Sequence, residues 1–217
     1  MASGDRSKRI RVNVQRVLQN RGETLEGALA LSIFEAGDRI QRRIAEEALC
    51  IEGTVEIDTE SGEELYQLPP DFISERIIIP SGATTELRKI DMEEVYRLKR
   101  LGASTTASDS TADDLFHYYF WNEQIGFLLN NGGAPSSVIT ITMYYWRYPG
   151  TGENLSETKD PIVRPQFDDV IYKGIVAELT GDSKWEARFE STLHMAKSNE
   201  RSRQEGVYQV ANNRSYD

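Results

Sequence analysis

The chain of 217 residues contains one cysteine and two histidines. A lone Cys50 excludes an internal disulfide framework and suits a reducing cytoplasm at synthesis. Neither His117 nor His194 stands in an HxxxH or HExxH spacing, and Cys50 has no CxxC partner, so the usual zinc patterns are absent. No apolar run approaches the ~20 residues that a bilayer span requires. The opening "MASGDRSKRI" carries charge but no apolar h-region, so neither a membrane partner nor export is expected. "GASTTASDSTAD" lacks the GxxxxGK[ST] pattern that cradles a phosphate, and "IPSGA" is not a GxSxG elbow. The adjacent carboxylates Asp168 and Asp169 fall in the first turn of a helix, where negative charge suits the dipole. No catalytic residue, cofactor or metal site is expected.

Positive charge is scarce in the middle of the chain. Residues 51–160 carry eight Lys/Arg against nineteen Asp/Glu, a balance of −11, while residues 1–50 stand at +2 and residues 161–217 at −1. Affinity for nucleic acid comes mainly from neutralised phosphates, so tight DNA binding is disfavoured. An acidic surface past which DNA slides remains compatible with this balance, as does a merely solvated face.

What the sequence has in abundance is aromatic side chains in one place. Residues 118–150 hold nine of the chain's twenty aromatics. In "VITITMYYWRY", strand alternation sends Ile139, Ile141, Met143 and Tyr145 to one continuous apolar face. Val138, Thr140, Thr142, Tyr144 and Trp146 go to the other, mixed face. A stacking platform for nucleic acid would interleave Arg or Lys, and residues 116–146 contain neither. The stretch therefore reads as sheet core plus a protein interface.

Around it, helical periodicity marks both ends. Ile10, Val14, Val17 and Leu18 share one face over 7–20, and Asn20-Arg21-Gly22 stops that helix. Thr24 can cap a second helix whose stripe, Leu25, Ala28, Leu29, Ile33, Ala36, Ile40 and Ile44, continues to about Leu49; the pair reads as an αα-hairpin. From Pro165, Phe167, Val170, Ile171, Ile175 and Leu179 form another apolar face closed by Gly181. Asp182 caps a last helix bearing Trp185, Phe189, Leu193 and Ala196, expected to end near Gly206. Between them lie strands. A hairpin is expected from Val55–Ile57 to "LYQLP", another from Arg76–Ile79 to Thr84–Leu87, then a short helix at 91–101, a polar loop at 103–114, and strands at 115–121 and 124–129. The fold class is α+β: an antiparallel helical bundle from residues 7–50 and 162–206, a β-rich insertion at 51–150, and a flexible C-terminal arm at 207–217.

The order of parts, with "YQLPPDFIS", "RIIIPSGATTELRKIDMEEVYRL", "IGFLLNNGGAPSSVITITMYYWRYP" and "LSETKDPI", resembles the head-to-tail adaptor (connector) proteins of tailed bacteriophages, particularly of short-tailed phages (podoviruses). Leu68, Pro69, Asp71 and Phe72 match that family's LPxDF segment; Gly82 and Leu87 match its turn; Tyr144, Tyr145 and Pro149 match the end of its aromatic strand. The resemblance spans roughly residues 25–200 and departs in the acidic turn at 58–64 and the insertion at 103–114.

The resemblance implies a structural virion protein at the head–tail interface, made in the host cytoplasm. It implies a homo-oligomeric ring of about twelve copies beneath the portal protein. The ring would extend the DNA channel, let DNA pass without sequence-specific binding, and attach tail (nozzle or fibre) proteins. Val207, Tyr208, Val210 and Tyr216 are candidate anchors of an arm on the portal, and Tyr144, Trp146 and Tyr148 candidate subunit or tail contacts. Two other classes stay open. A carbohydrate- or protein-binding β module would need Tyr118, Trp121, Tyr144 and Trp146 exposed in a row. An enzyme would need polar groups converging in a pocket, which here only unpaired carboxylates could supply.

Overall fold

In a computed structural model of the chain, residues 4–20, 27–83, 85–102, 115–150 and 152–213 are described, with side chains described for all of these but 20, 27–31, 102 and 205–213. The expected turn at Arg21-Gly22, the Thr24 cap, the Leu25, Ala28 and Leu29 part of the stripe, and the 103–114 loop lie outside the described residues or side chains. Helices are α1 (Asp5–Asn20), α2 (Gly27–Ala48), α3 (Met92–Gly102), α4 (Asp168–Thr180) and α5 (Ser183–Asn213). Strands are β1 (Glu52–Asp58), β2 (Leu65–Gln67), β3 (Phe72–Pro80), β4 (Arg88–Lys89), β5 (Leu115–Trp121), β6 (Gln124–Leu129) and β7 (Thr140–Arg147). Helices at both ends and strands between them make the fold α+β, as the change of period along the sequence implies.

The chain divides into two compact units, Met1–Ile51 with Arg147–Asp217, and Glu52–Trp146. In the first, α4 is the hub. Val170, Ile171, Ile175 and Val176 are at most 1 % exposed, because α1, α2 and α5 all pack on this one helix. The expected α1–α2 hairpin is thereby corrected, since each of the two finds its main partner in α4. Gly174 permits the α2 approach: a Cβ there would lie 2.9 Å from the Ile40 side chain. Ile10, Val14 and Leu18 of α1 and Phe189, Leu193 and Ala196 of α5 are buried, matching their sequence stripes.

The α1 end is fixed by polar contacts. Asp160 accepts the backbone N–H groups of Arg6 and Ser7 at 2.8 and 3.0 Å, standing in for a capping residue. The Arg6 guanidinium donates to the Asp168 carboxylate and to the carbonyls of Pro161 (2.9 Å) and Val163 (2.8 Å). Burial pushes the Asp160 carboxyl up, but the N–H groups of Ser7, Arg6 and Gly4 and the Arg6 charge bring it below its ordinary value.

Gly181 ends α4 in the left-handed conformation (φ 60°), and its N–H bonds the Ala177 carbonyl at 2.8 Å. Gly206 does not do the same for α5, which continues to Asn213. A glycine inside a helix costs only about 1 kcal/mol relative to alanine and stops it only where the left-handed geometry is adopted. The expectation of a helix ending near Gly206 and an irregular arm from 207 is thus corrected: Val207, Tyr208 and Val210 stand on helical backbone, and Tyr216 lies outside the described residues.

The second unit has three layers. One sheet has the order β1-β7-β3 and the other β2-β6-β5-β4. Ile78, Ile141, Met143 and Tyr145 of the first meet Tyr118, Ile125 and Phe127 of the second in a shared core. On the far side of the second sheet, Tyr119 and Leu128 pack with Val95, Met92 and Leu98 of α3. The first expected hairpin does not form: β1 pairs with β7 and β2 with β6, so the acidic segment after β1 carries the chain between sheets. After β3 the Leu87 N–H donates to Ile78 O at 2.9 Å, while Thr84 of the second expected hairpin lies outside the described residues. The β5–β6 hairpin does form, around Asn122 and Glu123 with φ of 48° and 61°, as in a type I′ turn.

Candidate interaction surfaces

The residues of the LPxDF and Tyr-Tyr segments meet one another inside the β unit. The Tyr145 hydroxyl donates to Asp71 at 3.0 Å, and the Phe72 ring stacks on Tyr145 at 5.8 Å and meets Phe120 at 5.6 Å. Leu68 packs on the same core. Gly82 holds φ 84° in the turn after β3, and Leu87 and Pro149 are buried. Leu68, Asp71, Phe72 and Tyr145 thus pack within the β unit.

Exposure divides the aromatic candidates. Tyr144 is 41 % exposed on the outward face of the β1-β7-β3 sheet, and Tyr148 is half-buried. Trp146 is only 7 % exposed, which corrects its placement on an open face. The Arg76 guanidinium lies 5.4 Å over its ring and is itself held by Glu52 at 2.9 Å. Sequence reasoning missed this lid because Arg76 comes from β3, seventy residues away in sequence. Trp121 is exposed but Tyr118 is buried, so Tyr118, Trp121, Tyr144 and Trp146 do not form the exposed row that a carbohydrate-binding β module requires.

The groups with reactive side chains are placed structurally. Burial, with the neighbouring Glu200 charge, pushes the Cys50 thiol up to about 12, so it is no thiolate at neutral pH. His194 is exposed on α5. His117 is buried on β5 with no partner for Nδ1 among the described residues, and burial together with Arg88 holds its pKa below the ordinary value, against an opposing pull from Glu94. Glu200, fully buried, accepts from Arg164 and Gln166. Among the described residues no group of three or more His, Cys, Asp or Glu is placed to hold a metal ion, and no helix is long and apolar enough to cross a membrane.

Two open faces remain on the β unit. The outward face of the β1-β7-β3 sheet shows Thr54, Glu56 and Asp58 beside Tyr144 and Val138. The outward face of α3 shows Tyr96 (63 % exposed) and Leu101 (67 %) beside a shallow depression of 440 Å³, which Asp91, Glu93 and Glu94 line together with Arg97 and Arg100. The α3 face was not singled out from sequence, although positions 96, 97, 100 and 101 lie on one side of a helix.

A family model described as SU10 adaptor protein matches residues 9–214. No curated protein matches the sequence.

Proposed function

The chain belongs to the SU10 adaptor protein family and is a phage adaptor protein, and from that premise we propose that it forms a ring of about twelve copies beneath the portal. The family match over residues 9–214 carries this reading. The ring extends the DNA channel and presents a platform for nozzle or fibre proteins, so the chain is a virion component at the head–tail interface with a structural and not an enzymatic role. The balance of −11 in residues 51–160 supports a channel wall that DNA passes without sequence-specific adhesion. The C-terminal end of α5 and the residues after it, with Val207, Tyr208, Val210 and Tyr216, reach the portal. Tyr144 and Tyr148 serve subunit or tail contacts, whereas Trp146 is buried.

The test of the portal contact is binding of purified portal particles by the full chain and by a chain ending at Glu205. Loss of at least about a hundredfold in affinity on truncation is expected if several apolar anchors are removed. Unchanged binding by the truncated chain contradicts the assignment of the C-terminal segment to the portal.

A further inference from the structure

β1 (Glu52–Asp58) is an edge strand: in the order β1-β7-β3 it has a neighbour on one side only. The Arg147 N–H donates to Ile51 O and the Thr59 N–H to Ile139 O, each at 3.0 Å. With the uninterrupted register Gly53↔Tyr145, Val55↔Met143 and Ile57↔Ile141, these bonds fix which residues of β1 bond to β7. In an antiparallel ladder every second residue does so. Gly53, Val55 and Ile57 therefore face β7, and the N–H and C=O groups of Thr54, Glu56 and Asp58 point away from it. Those groups have no backbone partner among the described residues, and all three residues are exposed. The side chains alternate as well. Val55 and Ile57 are half-buried at the rim of the core. Glu56 and Asp58 lie on the outward side and make no ion pair among the described residues, although Asp58 accepts the Thr140 hydroxyl at 2.6 Å.

We propose that the β1 edge receives an extended segment of a different protein, one that carries Lys or Arg at every second position and apolar side chains between them. Backbone groups that recur every second residue along an edge are matched by another strand, whose own N–H and C=O groups repeat at the same interval of about 6.7 Å. The basic side chains of that strand lie beside Glu56 and Asp58, and its apolar ones extend the cover over Val55 and Ile57. A second copy of this chain does not fit. Two β1 edges set side by side bring carboxylates against carboxylates, which disfavours the pairing. The other edges are poor donors: β2 and β4 are three and two residues long, and β3 is met at Ile78 O by the Leu87 N–H. The charges that guard this edge against its own copies thus select a strand of opposite charge. The pairing is independent of ring formation.

The test adds to the full chain, at low salt, a synthetic peptide of about eight residues that alternates Lys with Val, or its counterpart with Glu in place of Lys. Amide hydrogen exchange is read residue by residue. The Lys peptide at about 1 mM is expected to slow exchange at Thr54, Glu56 and Asp58 by about tenfold or more, and the Glu peptide to leave it unchanged. Glu56→Pro removes one outward N–H, keeps the bonds to β7, and is expected to abolish the protection at Thr54 and Asp58. Glu56→Lys with Asp58→Lys is expected to reverse the preference in favour of the Glu peptide. Lys-peptide binding that leaves these amides unprotected is charge attraction without strand pairing, and it overturns the proposal. Protection that persists in Glu56→Pro overturns it too, as does equal protection by both peptides or by neither. Slow exchange at the three amides in the chain alone means that this chain or a second copy covers the edge, which overturns the assignment to a different protein.

Discussion

Glu200 and His117 show how this chain handles polar groups that it buries. Glu200 is satisfied twice over, by Arg164 and Gln166, at the point where α5 passes the segment that leads into α4. Removing one partner of a buried pair leaves the other uncompensated, which typically costs about 3–5 kcal/mol. Arg164 is 28 % exposed and can recover some hydration, so Glu200→Ala is expected at the low end, about 3 kcal/mol by denaturant unfolding. His117 is the opposite case, a buried imidazole whose Nδ1 has no partner among the described residues. Its folded pKa lies below the ordinary value of 6.5, so the unfolded chain binds the proton more readily. The stability held by neutral His117 is complete above about pH 6.5 and is lost as the pH falls through the folded pKa. His117→Phe is expected to flatten the fall in unfolding midpoint between about pH 7 and pH 5. A variant with the same pH profile as the unmodified chain contradicts that assignment.

Among the secondary-structure elements, strong local patterns were legible and pairing was not. The stripes of α1, α4 and α5, the Gly181 stop and the Asp182 cap follow from rules that act within a few residues. Asp91 accepts the Glu94 N–H and Asp182 the Lys184 N–H, each at 2.8 Å. Strand partners depend on contacts between distant segments, and here adjacency in sequence misleads. β1 and β2 look like a hairpin but join different sheets, and β7 leaves the β5–β6 hairpin to pair with β1. The apolar face of β7 was legible because alternation survives any choice of partner: Ile139, Ile141, Met143 and Tyr145 are all buried. The lid on Trp146 and the α3 face were not, since both need the three-dimensional neighbours. Two substitutions probe the resulting packing. Tyr145→Phe removes the bond to Asp71 and is expected to cost about 1 kcal/mol. Gly126→Ala places a Cβ 2.3 Å from the Tyr119 ring, and displacing that ring is expected to cost about 1–3 kcal/mol, read as a lower unfolding midpoint.

For the assembled protein, the distribution of charge matters more than its sum. A net charge of −10 keeps free chains apart in dilute solution, yet the acids are concentrated in the middle third, and much of the basic charge of the β unit lies at β4 and α3. Sedimentation velocity tests the adaptor role most directly. The full chain would be run alone and with portal particles from the same phage. A slow species that moves quantitatively onto the portal, at close to one chain per portal subunit, is the predicted result; a chain that stays slow beside the portal at micromolar concentration, with its C-terminus intact, would contradict it.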